Sequence, residues 1–182
     1  MGMQTWESAF RLQSQWLQRS VSLVRLCSGS VILRAIMQQI LDDLVDLTKA
    51  EEGSIFLVDE ELRVIEAILA RGVVTRDRKQ LLVGEVLDRG FGGWVLANRT
   101  FGVVDNTERD DRWVHLPDEP YQVKSALGAP LLYSDTALGV LTLMHSQPYH
   151  FTSQDIELVK LLHDQMALLI ENARLHAQYQ LG

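Results

Sequence analysis

125-SALGAPLLYSDTALGVLTLMHSQPYHFTSQDIELVKLLHDQMALLIENARL-175 is the stretch on which the fold turns. Two apolar runs, Ser125 to Tyr133 and Leu138 to His145, flank a Ser134-Asp135 turn and predict an antiparallel hairpin. Pro130 removes a ladder donor inside the first run, which implies an edge position or a bulge. After His150 the apolar spacing changes to steps of three and four, predicting a helix from Ser153 to about Tyr179. Phe151 stands as a hydrophobic staple before it, with Thr152 at the N-cap and Asp155 in place of the Glu or Gln of a capping box.

That helix carries two apolar stripes. Ile156, Val159, Met166, Ile170, Ala173 and Ala177 form one; Leu158, Leu161, Leu162, Leu168, Leu169 and Leu175 form the other. One stripe packs on the sheet and the other requires a partner. Gln165 and Asn172 fall in register with the leucines, where polar residues of helical seams fix oligomeric state. The expected partner is a bundle with the N-terminal helix and a second copy of the chain. The homodimer interface is then Leu158, Leu161, Leu162, Gln165, Leu168, Leu169, Asn172 and Leu175.

Upstream, Trp6, Phe10, Leu17, Val21 and Val24 mark an amphipathic helix from Trp6 to about Cys27, interrupted by Ser28-Gly29-Ser30. A second helix, Val31 to about Thr48, sets Ile32, Ile36, Ile40, Leu44 and Leu47 against a face with Gln38, Asp42, Asp43 and Asp46. Strands follow over Ser54 to Val58, Leu62 to Ala70 and Leu81 to Leu87, the first two joined by the turn Asp59-Glu60-Glu61. The stretch from Phe91, FGGWVLANRT, reads as a short helix begun through glycines, and FGVVDN as a brief strand. Thr107 to Lys124 is polar, holds Pro117 and Pro120, and is long for a loop in a compact domain, a length usual for functional loops. The fold class is α+β: a central antiparallel sheet of about five to six strands, helices packed on one face, and long N- and C-terminal helices forming a bundle.

Composition bounds the function. The 182 residues are 47% apolar and 23% charged, the balance of an ordinary globular protein that needs no disulfide or metal to fold. The single cysteine, Cys27, excludes an intrachain disulfide and CxxC chemistry and fits a reducing cytoplasmic setting. A net charge of −7 opposes sequence-independent nucleic-acid binding. No uncharged apolar run reaches the ~18 residues that a membrane helix requires. The five histidines, His115, His145, His150, His163 and His176, have no HExxH-type spacing, and Ser125 and Ser134 lack a nucleophile elbow, so no enzyme and no metal site is expected. Gly90, Gly92 and Gly93 lack the lysine of a phosphate-binding loop.

Several motifs in order carry a family resemblance. They are Gly90 to Trp94; Val104-Asp105; Asp111-Arg112-Trp113; Ser125, Leu127, Pro130 and Leu131; Gly139-Val140-Leu141; Phe151-Thr152-Ser153-Gln154-Asp155; and Glu171-Asn172-Ala173-Arg174-Leu175. Together they resemble the GAF domain family, small-molecule-sensing modules of signal-transduction proteins. The resemblance divides the chain into a signalling or linker helix over 1–30, the GAF domain over 31–178 and a tail over 179–182. It implies a bacterial-type cytoplasmic sensor that binds an unidentified small molecule non-covalently and relays the signal through its terminal helices in a dimer. The output domain of the parent protein would be a histidine kinase, a cyclase or similar, as in two-component systems.

The family places its ligand between the sheet and the irregular segment, here Phe91 to Lys124. The implied lining is Phe91, Trp94, Val104, Asp105, Trp113, His115, Ser125, Leu127 and Leu143. The structural alternative is that Trp94, Val104, Leu127 and Leu143 are core, in a dimerisation and relay scaffold that binds nothing. Bilin-carrying members attach the chromophore through a cysteine in this region; residues 84–145 contain none, so no cofactor is expected. Cyclic-nucleotide-binding members have an Asn-Lys pair where His145-Ser146 stands, although Phe151 and Asp155 match their pattern, leaving that ligand class as a further alternative. Members that reduce free methionine sulfoxide use several cysteines, against the one here.

Overall fold

The computed structural model describes residues 2–24, 29–70, 87, 89–115 and 122–179. Helices α1 (Gly2–Val24) and α2 (Gly29–Thr48) are followed by strands β1 (Glu52–Val58) and β2 (Val64–Leu69), then helix α3 (Phe91–Asn98) and strand β3 (Gly102–Val104). A 3₁₀ turn (Thr107–Arg109), strands β4 (Ser125–Tyr133) and β5 (Thr136–His145), and helix α4 (Ser153–Tyr179) complete the chain. The strand expected over Leu81 to Leu87 lies outside the described residues except for Leu87, which is helical and not extended, and Cys27 and Ser28 also lie outside them.

Both expected hairpins form. In the first, Asp59 makes the turn: its Oδ1 accepts from the amides of Glu61 and Arg63 at 3.1 and 2.8 Å, and its Oδ2 from Arg63 Nε at 2.8 Å. In the second, Ser134 occupies the left-handed region at φ 54°. Every described strand pair is antiparallel, in the order β2-β1-β5-β4-β3. Pro130 lies beyond Gly128, the last β4 residue paired with β3, and directly before the register shift at Leu131/Leu132.

The period-2 pleat sorts the strand side chains onto two faces. Ile55, Leu57, Ile68, Leu127, Ala129, Leu131, Leu141 and Leu143 face the long helices and join the main core with Ile32, Ile36, Met37, Ile40, Leu41, Leu44, Leu158, Val159, Leu162, Met166 and Ile170. Helix α1 lies against α2 and α4, burying Ala9, Leu12 and Trp16. Trp16 Nε1 donates to Asp43 Oδ2 at 2.7 Å and Gln13 Nε2 to the Leu161 carbonyl at 3.2 Å. The opposite face is not bare: Phe56, Ala67, Val104, Ala126 and Val140 pack there with Phe91 and Val95 of α3.

The leucine stripe of α4 is divided by this packing. Leu158, Leu162 and Leu169 are buried inside the chain and Leu161 is half-buried against the same core, because α1 and α2 cover that side of α4. Burial there takes them out of the expected interface with a second copy. Leu168, Asn172 and Leu175 remain exposed, and Gln165 is half-buried.

Candidate functional site

The site is built on the sheet face that α3 covers. Helix α3 starts without a side-chain cap at Gly90 and ends where Arg99 turns into the left-handed region at φ 50°, so it is a short plug with Phe91, Val95 and Leu96 turned inward. Room for the Phe91 ring comes from Gly102 on β3 and Gly128 on β4, paired partners in the sheet. A Cβ on Gly102 would sit 2.8 Å from Phe91, and one on Gly128 would sit 2.9 Å from it and 2.7 Å from Val95. These separations are below van der Waals contact, so side chains at either position would displace the ring.

Three aromatic rings and one guanidinium form the outer part of this face. Phe91 and Trp94 are near-parallel at 6.4 Å, and Trp113 lies 6.4 Å from Phe91 at a 40° tilt. The Arg112 guanidinium lies over Trp94 at 4.5 Å and over Phe91 at 5.4 Å, a cation–π arrangement that attracts it to the ring faces. Arg112 is held by Asp110, whose Oδ1 accepts from Nε at 2.8 Å and Oδ2 from Nη2 at 2.6 Å, while Nη2 also donates to the Val103 carbonyl at 2.7 Å. The fork-shaped pair ties the loop after β3 back onto β3. The hydrogen bonds from Arg112 hold the Asp110 carboxyl below its ordinary pKa, and Asp110 in turn raises that of the guanidinium.

Trp113 carries the polar feature of the site. Its ring packs against the α3-side core, and its Nε1 is buried with no hydrogen-bond partner among the described residues. An indole N–H left without an acceptor costs about 1–3 kcal/mol.

Sequence reasoning assembled these lining residues only in part. Phe91, Trp94, Val104 and Trp113 come together on the α3 face. Leu127 and Leu143 pair with each other on the opposite face, in the helix-covered core, and Ser125 follows the same alternation, with its Oγ donating to the Gln147 carbonyl at 2.7 Å. The three are therefore corrected out of a site under α3. Asp105 and His115 are exposed. Residues at this face that were absent from the expected lining are Phe56, Ala126, Val140 and Arg112, together with Gly102 and Gly128, although Arg112 and Val140 lie in the family motifs. Because both faces of β4 and β5 are buried, their unbroken apolar runs carry no alternation to tell one face from the other.

Matches to known proteins agree with this geometry. The family model described as GAF domain matches residues 33–170. The chain belongs to the GAF domain family. A solved GAF domain from an Acinetobacter phosphoenolpyruvate-protein phosphotransferase is 24% identical, with 90% of this chain and 95% of that chain covered at a TM-score of 0.62. The corresponding GAF domain from Coxiella burnetii is 17% identical over 91% and 96% of the two chains, at 0.66. A free methionine-R-sulfoxide reductase from Neisseria meningitidis, solved with its substrate, is 15% identical over 93% and 92%, at 0.62. At these identities the likeness is one of fold. No significant match is found among curated protein sequences.

In this GAF domain the two residues shared with the cyclic-nucleotide pattern have structural occupations. Phe151 is buried with its ring edge-on to His150 at 5.0 Å. Asp155 accepts from Thr152 N and Oγ1 at 2.8 and 2.7 Å, closing the start of α4. Among the described residues no group of three metal-ligating side chains forms and no helix is long and apolar enough to cross a membrane.

Proposed function

We propose that this GAF domain is a non-covalent sensor of a small molecule, acting as a dimeric relay in a bacterial-type cytoplasmic signalling protein and not as an enzyme. The observation that carries the reading is the buried Nε1 of Trp113, without a hydrogen-bond partner among the described residues, beside the aromatic rings of Phe91 and Trp94. Such a surface suits a ligand with an apolar or planar body and one hydrogen-bond acceptor for the indole N–H. Ligand binding reaches the helices through the backbone: Tyr149 N donates to the Asp105 carbonyl at 2.7 Å, joining the loop after β3 to the segment that leads into α4. A ligand shifts the relay only as far as it prefers one arrangement of that junction.

For the dimer, exposed Trp6 and Phe10 on α1 and Leu168 and Leu175 on α4 supply apolar surface on the terminal helices. Titration with nucleotides, haem, bilins and small metabolites, read by tryptophan fluorescence and native mass spectrometry, tests the sensor reading. A 1:1 complex that quenches Trp113 supports it; no bound species across the panel overturns it. In light scattering, the double change Leu168→Glu and Leu175→Glu should convert a dimer to monomers. An unchanged dimer refutes their place in the interface.

A second reading has its own observation. Phe91 fills the space above Gly102 and Gly128 and Val95 is fully buried, as in a scaffold that binds nothing and serves only dimerisation.

A further inference from the structure

Two imidazoles lie against each other where the sheet passes into α4. The rings of His145, the last residue of β5, and His150 are stacked at 3.6 Å with an interplanar angle of 3°. His145 Nδ1 accepts the amide of Gln147 at 2.9 Å, which requires that nitrogen to be unprotonated. His150 Nε2 meets the Thr48 carbonyl at the end of α2 at 2.9 Å. The short segment between them gathers bonds from four directions. Ser146 N donates to Glu51 Oε2 at 2.9 Å, and Ser125 Oγ to the Gln147 carbonyl at 2.7 Å. Tyr149 N donates to the Asp105 carbonyl at 2.7 Å, and Lys124 N to the His145 carbonyl at 2.8 Å. Tyr149 is held at φ 59°, a left-handed conformation that costs a non-glycine residue free energy and persists only while its surroundings impose it.

We propose that the stacked His145–His150 pair is a proton-operated latch that, when neutral, clamps the β5–α4 connection to the end of α2 and to the loop after β3. With Nδ1 accepting, the neutral ring carries its proton on Nε2, so a second proton must go to Nδ1, and the Gln147 amide then faces a donor. The added charge also lies against His150. The ionisable groups bearing on His145 are His150 from its own segment and Glu51 from the link between α2 and β1, whose Oε1 is 3.7 Å from Nε2. Just before β4 the contact is the Lys124 backbone, its Nζ being paired with Glu108; from α4, Asp155 is engaged with Thr152.

Burial, then the neighbouring His150, lower the His145 pKa from its ordinary 6.5, and Glu51 offsets this only in part. The sign follows: the open form takes up the proton more readily than the latched form, so the latch is at full strength above pH 6.5 and weakens as pH falls towards the lower latched-state value. Uptake of one proton raises the open population by up to about tenfold per pH unit in that window.

Amide hydrogen exchange of the intact chain, corrected for the intrinsic pH dependence of exchange, reads the latch at Ser146 and Tyr149. Between pH 7.5 and 5.5 protection at both should fall about three- to tenfold, and amides in the middle of β5 should stay unchanged. His145→Phe, which keeps a stacked ring but has no titrating nitrogen, should abolish that pH dependence. Unchanged protection in the wild type, or the same dependence in His145→Phe, overturns the proposal. Should that variant not fold, nitrogen NMR of the wild-type histidines decides: a His145 titration that leaves the Tyr149 amide unmoved also overturns it.

Discussion

The two faces of the central sheet differ in what holds them together. The helix-covered face is closed by aliphatic side chains from three helices, with Met37, Leu41, Leu44, Leu141, Leu143, Leu162 and Ile170 almost completely buried. Among the described residues the α3 face is closed by one eight-residue helix, the rings of Phe91, Trp94 and Trp113, an arginine over the first two and an indole nitrogen without a partner. The first is a core whose energy comes from close packing, and the second is a surface whose polar groups are fixed in place at some cost. Within one domain, opposite sides of the same strands are closed by different kinds of packing.

Mutations on the two faces should therefore differ in kind. The largest expected effect is on the helix side: Leu162→Ala removes a fully buried side chain between α4 and the sheet and should destabilise by about 2–5 kcal/mol in urea unfolding. A loss below about 1 kcal/mol would show that this face is loosely packed and would break the comparison.

Next comes the loop anchor. Arg112→Gln removes the fork to Asp110 and the cation–π contacts, and should cost about 1–2 kcal/mol, with increased proteolysis between Asp105 and Trp113 and little change in α4. Acid should act at the same point. The Asp110 pKa is lowered by Arg112, so its carboxylate stabilises the folded loop above the ordinary value of 3.8 and that contribution is lost as pH falls through the lower folded value. Proteolysis of the loop in Arg112→Gln should therefore lose its response to acid in that window.

The smallest stability effect belongs to Trp113, on which the proposed ligand site rests. Trp113→Phe deletes the orphan donor together with part of a half-buried ring, two changes of opposite sign, and should shift stability by less than about 1 kcal/mol. In ligand titration it should still weaken binding at least about tenfold, because one hydrogen bond in a water-excluded site is worth about 1–2 kcal/mol. Unchanged affinity would remove Trp113 from the site and shift the balance to the scaffold reading.

Local signals were read well where a period or a turn was unambiguous. The hairpin around Ser134-Asp135, the turn at Asp59 and the start of α4 at Thr152 depend on neighbours within a few residues, and the structure has all three. Strand faces were not legible in β4 and β5, so Leu127 and Leu143 were grouped with Val104 although they lie across the sheet from it. The leucine stripe of α4 was expected to meet both the N-terminal helix and a second copy, and nothing in its own periodicity reveals that Leu158, Leu162 and Leu169 are covered within the chain by α1 and α2. What surrounds His145 and His150 was not legible for a related reason, since Thr48, Glu51 and Asp105 are distant in sequence.

The sequence by itself determined the two antiparallel hairpins, the long helices and the family, because these follow from residue order and short-range physics. The tertiary structure alone decided which side of each strand meets α3, which leucines remain outside, and which donor lacks an acceptor. Those are properties of register and burial, set when segments far apart in the chain exclude water from one another.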